Sequence, residues 1–390
     1  MDSKTLTEGS PQNASPLPLH IIAPVFFSFA CGGIATVMLG PLLPGLIERW
    51  HIQDAAAGVL FTAFFAGQLS GSVVASFRLR LSVIFGSLLT AAGCFVMPWA
   101  AFGVAHVTLF FVGLGIGASL TAGNVLVGTA VSSGRARLLA LLNVCWSLGA
   151  ISCPSLLRFC GPRLFFLITG TALALAGLVA VTLPPQAESQ AQPKGQTAPS
   201  RLPLSLLPLL LFALSLMLFV GIESTLGGWL PSYAVRKSAV LLASSISLYF
   251  WLAELAGRML MAAIVQRLGE VALYRAALVV LIGASATLAI EQRLHAGSIV
   301  LLAVLCGLAI APLYPLIVSL LLARTGRHPH LGPLFATASL GGATLPWLTG
   351  VTSTRFHQLS AGLAVPVIGA ITLLAISGAI TGRHEAARRA

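Results

Sequence analysis

Between residues 299 and 322 the chain carries no charge at all, and stretches of the same kind recur from one end to the other. An apolar segment of about 20 residues is what a helix needs to cross a hydrocarbon core ~30 Å thick. Such segments fall at 19–43, 55–76, 81–102, 106–131, 136–158 and 163–183, and again at 204–235, 239–265, 271–290, 297–323, 331–353 and 361–382. Only 8% of the residues are charged, against roughly 25% in soluble domains, and the mean hydropathy is +0.95. Barrel strands would alternate apolar and polar residues over about ten positions, whereas these segments are apolar all round, so helices remain. The expected fold class is an all-α membrane protein of about twelve transmembrane helices.

Pro184 to Ser200 is the one internal low-hydrophobicity stretch of any length, and it divides the spans six and six. The expected organisation is a flexible tail at 1–18, a six-helix bundle at 19–183, a solvated linker at 184–203, a second bundle at 204–382 and a basic tail at 383–390. No small-residue cleavage pattern follows the tail, so the first span is expected to be retained. Ser147-Leu-Gly149-Ala-Ile-Ser-Cys-Pro154 in the fifth span matches Ser339-Leu-Gly341-Gly-Ala-Thr-Leu-Pro346 in the eleventh, the spacing of a duplicated six-helix unit. With the N-terminus inside, fourteen Lys and Arg fall on the cytoplasmic side against seven opposite, which places both termini in the cytoplasm. The formal net charge of +12 then reflects topology and contact with anionic lipid of the cell (inner or plasma) membrane, with no surface left for nucleic acid. The six cysteines lie in or at the ends of spans without metal-ligand spacing and read as small packing residues.

Gly40-Pro-Leu-Leu-Pro44, Gly115 to Asn124, Leu142-Asn143 with Gly149 and Pro154, Gly221-Ile-Glu223 with Gly228-Trp229 and Tyr233, and Gly257-Arg258 together resemble the major facilitator superfamily, and within it the fucose-permease and sodium-dependent glucose transporter branch. The resemblance implies two pseudo-symmetric six-helix halves and transport of a sugar. It also has gaps. The loop signature after the second span keeps Arg78 and Arg80 without its aspartate, and the branch's carboxylates near the end of the first span and in the fourth correspond here to Gly40 and Leu120. Ion coupling, if present, then falls to the second half.

Few residues in the spans can do chemistry. A charge at the bilayer centre costs on the order of 3 kcal/mol on the mildest scale, and among the ten acidic residues Glu223 and Glu254 sit inside apolar spans. Both are read as ion-coupling carboxylates; for Glu223 a protonated packing role is the alternative. Gly227, Gly228 and Pro231 follow Glu223 and predict a break or kink in a span too long for one straight crossing. Glu254 and Arg258 stand four apart with the acid first, the favourable order for an intrahelical pair. Arg258 also resembles a family element that locks helices on the cytoplasmic side, so it is read as a gating and structural charge. Asn124 and Asn143 are read as substrate contacts, because an amide offers donors and an acceptor to sugar hydroxyls, while Gln68 is read as packing. Trp146 and Trp229 are read as stacking faces for the substrate. The run Gly113-Leu-Gly115-Ile-Gly117 has no preceding strand and reads as close helix packing.

The expectation is a secondary transporter, acting as a monomer without cofactor or metal, that moves a small polar solute by alternating access. A monosaccharide driven by H+ or Na+ symport leads; an exporter of drugs or amphiphiles, an uncoupled uniporter and a membrane scaffold or sensor stay open. No Ser-His-Asp, zinc or P-loop arrangement points to an enzyme.

Overall fold

The computed structural model describes residues 19–75, 78–130, 135–185, 206–238, 240–291, 293–325 and 336–389. The expected tail at 1–18 and residues 186–203 of the expected linker lie outside them. The first half contains α1 (Leu19–Val37), α2 (Leu39–Trp50), α3 (Asp54–Val74), α4 (Leu79–Val96) with a short 3-10 turn (Met97–Trp99), α5 (Phe102–Ala130) and α6 (Arg135–Ala180). The second contains α7 (Leu206–Lys237), α8 (Ala243–Leu268), α9 (Glu270–Ile290), α10 (Ala296–Ile310), α11 (Leu313–Thr325), α12 (Ala338–Phe356), α13 (Leu359–Gly362) and α14 (Ala364–Arg389). Residues 383–389, expected as a tail, continue α14.

Ten of the described helical stretches are long and apolar enough to cross a membrane. One of them, 44 residues long, supplies two crossings, because Gly161 takes φ 73° and ψ 168° and turns the chain back just before Pro162. The Gly- and Ser/Thr-rich α12, 19 residues long, packs inside the bundle against α3 and α7 and, as the eleventh crossing in chain order, brings the count among the described residues to twelve.

Lipid is as apolar as a leucine side chain, so helices in a membrane associate through close packing of small residues and not by hydrophobic burial. The internal repeat is used in this way. A methyl group on Gly149 would strike the carbonyl oxygen of Ala30 in α1, and one on Gly341 would strike that of Met217 in α7. The fifth crossing therefore seats on the first as the eleventh seats on the seventh. The run from Gly113 to Gly117 does the same for α5: Gly113 lies against the Phe64 carbonyl and Gly117 against that of Gln68, clamping α5 to α3.

Of the break or kink expected after Glu223, the break is absent. α7 is one helix of 32 residues from Leu206 to Lys237, with Pro231 inside it. Pro231 has no N–H to offer the carbonyl four residues back, and that carbonyl, of Gly227, instead lies against Gly40 of α2. The freed carbonyl thus lies at the contact between α7 and α2, and the helix continues past it. Interruptions occur in two other crossings. The first is divided at Met38, ahead of Pro41 and Pro44, and the tenth at Ala311-Pro312, ahead of Pro315.

Candidate functional site

The two halves meet along α3 with α12, α2 with α7, and α6 with α8. The named contacts gather toward the end of the bundle that holds Asp54, Arg236 and Ser353. There Arg236 donates to both carboxylate oxygens of Asp54, at 2.7 and 2.6 Å, and Ser353 Oγ donates to Asp54 Oδ2 at 2.5 Å. The Ala55 amide donates to Thr354 Oγ1 at 2.8 Å, and about two turns further along α3 Thr62 Oγ1 donates to the Ala343 carbonyl at 2.8 Å. Bidentate pairing fixes angle as well as distance, so this end is closed by a directional joint between the halves. A pocket of about 360 Å³, lined by Asp54, Arg236, Ser353 and His357 among others, adjoins that joint.

Past the joint, a cavity of about 270 Å³ lies between the halves, close to the small end of the ~300–1,000 Å³ typical of ligand sites. The first half lines it with Phe29, Phe61, Phe64, Gln68, Asn124, Asn143 and Trp146. The second half adds Glu223, Ser224, Trp251, Arg258 and Tyr314. Both interrupted crossings border it: Val37 and Leu39 flank the Met38 division, and Tyr314 follows the Ala311-Pro312 division. Asn124 and Asn143, near the ends of α5 and α6 remote from the Asp54 joint, are exposed, and the cavity reaches toward that end.

Three charges meet at its wall. Arg258 Nη2 pairs with Glu254 Oε1 on its own helix and stands 3.7 Å from Glu223 Oε1 on α7. Its Nη1 donates to Ser147 Oγ of α6 at 2.8 Å, and the guanidinium lies 5.7 Å from the centre of the Trp146 ring. One arginine therefore joins two carboxylates of the second half to a hydroxyl and an indole of the first. The Glu254 side chain is 2% exposed and that of Glu223 15%, so Glu223 is the carboxylate that touches the cavity while Glu254 stands behind it. With both ionised, the cluster carries one net negative charge, which a single bound cation would neutralise. Trp146 and Trp251, one from each half, meet edge to face at 6.0 Å beside it.

Of the residues singled out in the sequence, Asn124, Asn143, Trp146, Glu223 and Arg258 line one cavity, with Glu254 in contact with Arg258. Trp229 is placed elsewhere. It is fully buried, its indole N–H donates to the Pro346 carbonyl at 3.0 Å, and its ring packs on Phe61 at 6.2 Å, so it offers no face to a solute in this conformation. Gln68, read from sequence as packing, stands in the cavity wall. The Asp54–Arg236 pair was missed because its members sit at helix ends 182 residues apart, where charges are ordinary.

Two bundles of six crossings around a shared, charged cavity define a polytopic membrane transporter. The chain belongs to the Major Facilitator Superfamily, whose family model matches residues 25–343. A curated relative, "Bypass of stop codon protein 6" of Saccharomyces cerevisiae, is 25% identical over 398 residues, covering 87% of this chain and 79% of that protein. Among solved structures, the peptide transporter POT in complex with sulfate aligns with a TM-score of 0.73 at 14% identity, over 93% of this chain and 95% of the other. The nucleoside transporter NupG aligns at 0.68 and 14%, over 94% and 98%. A bacterial homologue of the human lysosomal transporter Spinster, inward-facing and unoccupied, aligns at 0.66 and 16%, over 94% and 97%. At such identities these structures establish the fold alone.

Proposed function

We propose that this transporter moves a monosaccharide-sized polar solute by alternating access, in symport with H+ or Na+, and that Glu223 carries the coupling with Glu254 and Arg258 as its partners. The observation that carries the reading is the Arg258 cluster, which puts a cavity-facing carboxylate and a contact between the halves on the same guanidinium. Binding a cation at Glu223 weakens its hold on Arg258, and any change at Arg258 is felt at Ser147 and Trp146 across the interface. Ion occupancy thereby biases how the two halves pack, which is the requirement for a coupled carrier. Asn124, Asn143 and Trp146 supply the amides and apolar face that a sugar needs. With both termini cytoplasmic, as the Lys and Arg distribution favours, the Asp54 joint is external and the conformation faces inward.

A second reading, export of amphiphilic compounds, draws on the Phe29, Phe61, Phe64, Phe65, Phe219 and Tyr314 side chains of the same cavity. A thermal-shift panel on purified protein separates the two, since a ligand of the native state raises its stability with the logarithm of ligand concentration over Kd. Stabilisation by one of D-glucose, D-galactose, L-fucose or myo-inositol, with no response to lipophilic cations such as tetraphenylphosphonium, is the expected result. The reverse pattern would replace the sugar reading with the export one.

A further inference from the structure

The pocket beside the Asp54 joint shares no lining residue with the central cavity, and the coupling reading makes no use of it. Its volume of about 360 Å³ falls within the ~300–1,000 Å³ of small-molecule sites. Gln53 and Asp54 line it from the first half, and Arg236, Ser353, Thr354 and His357 from the second. The ion pair in its wall is unequally exposed: the Arg236 side chain is 41% accessible and that of Asp54 10%. A ligand entering the pocket therefore meets the cation. Asp54, the one acid among the described lining residues, is held by two hydrogen bonds from Arg236 and one from Ser353. Those bonds take one hydrogen from each terminal nitrogen of Arg236, and a guanidinium has five N–H groups, so three lie outside the pairing. Thr354 Oγ1 accepts from the Ala55 amide and keeps its own hydroxyl hydrogen to donate. The Gln53 amide and the His357 imidazole, both exposed, add an N–H from each half. On this side of the bundle seven Lys and Arg face three acids, Glu48, Asp54 and Glu291, so the surrounding field also favours an anion.

We propose that this pocket binds a small oxyanion, a carboxylate or an inorganic phosphate or sulfate, and that its occupancy holds the joint shut. The planar guanidinium fork matches the spaced oxygens of such a group, whereas a halide offers a single centre that cannot reach Arg236, Gln53 and His357 together. A ligand that touches both halves binds only while they sit against each other, so it shifts the carrier toward the form closed at this end. The anion is thus a modulator and not the transported solute. Which side of the membrane it acts from follows the orientation adopted above, with the joint external; the site itself does not depend on that orientation.

The test titrates sodium acetate, phosphate and sulfate into full-length protein, at an ionic strength held constant with sodium chloride, and follows the melting temperature. The variants are Gln53→Met and His357→Met, both at exposed positions outside the joint's own hydrogen bonds, so they should melt with wild type when no oxyanion is present. The expected result is a saturable rise with at least one oxyanion over the chloride reference, and a Kd weaker by about fivefold or more in each variant. The second readout is the rate at which an impermeant thiol reagent, applied from the Asp54 side, reaches Ser224→Cys in a protein cleared of its native cysteines. If the anion binds the closed form alone, that rate should fall by the factor 1 + [anion]/Kd, about tenfold at ten times Kd. Melting temperatures that follow ionic strength alone, with no oxyanion exceeding chloride, would overturn the site. So would an oxyanion response of equal Kd in wild type and both variants, since the anion would then be bound elsewhere. Binding that is weakened by both variants but leaves the reagent rate unchanged would keep the site and strike its hold on the joint. None of these failures touches the sugar reading, which rests on the central cavity.

Discussion

Arg258 has more partners than its own helix provides, and this decides how its loss should read out. Removing one member of a buried ion pair costs about 3–5 kcal/mol, because the other is left uncompensated. Arg258→Ala strands Glu254 and takes the nearest cation from Glu223, so it should lower the melting temperature more than the double change Glu254→Ala with Arg258→Ala does. A double-mutant cycle should return a coupling of roughly 1–3 kcal/mol, and adding Glu223→Gln should recover part of the remaining loss. Simple additivity would contradict a shared cluster. The Glu254–Arg258 pair was legible from its spacing of four, which puts both side chains on one helix face. The bond to Ser147 was not, since it joins residues 111 positions apart. Nor does an isolated Gln68 reveal from sequence whether its amide meets a neighbouring helix or a cavity, because both demand the same chemistry.

At the scale of helices, small residues and prolines carry most of what the sequence could tell. The repeated Ser-Leu-Gly placed Gly149 and Gly341 in equivalent crossings, and each turns out to be the point where one helix touches the backbone of another. Gly149→Leu and Gly341→Leu should therefore both be destabilising, beyond the ~1–3 kcal/mol usual for overpacking because the obstacle is backbone, and both should cut the yield of folded protein in detergent. Gly283→Leu, where a Cβ would meet nothing within 4 Å, is the control expected to be neutral. Equal effects at all three sites would deny the packing role. The break expected in α7 illustrates the limit of such reading. Pro231 announces a missing hydrogen bond, but whether the helix opens or the freed carbonyl finds another neighbour depends on Gly40, which lies in the other half of the chain. The same close approach to Gly227 leaves no room for a side chain at Gly40.

Over the whole molecule, the twelve crossings and their six-and-six division follow from hydropathy and the linker, whereas the closed end depends on residues that look unremarkable one at a time. Arg236 and Asp54 join α7 to α3, and Ser353 adds α12 to the same carboxylate. If this joint holds one face of the carrier shut, Arg236→Gln should raise the rate at which a membrane-impermeant thiol reagent, applied from the Asp54 side, reaches Ser224→Cys in a background cleared of the six native cysteines. An unchanged rate would deny the joint a gating role. The account as a whole stands most directly on Glu223, the one carboxylate among the described residues that faces the cavity and the shared arginine together. In proteoliposomes with an imposed cation gradient, and with the best-binding polyol of the panel as solute, wild type should accumulate solute above equilibrium. Glu223→Gln, which keeps the size of the side chain and removes its charge, should lose that accumulation but still exchange labelled for unlabelled solute at equal concentrations. Accumulation by Glu223→Gln at the wild-type level would contradict the coupling assigned to this residue.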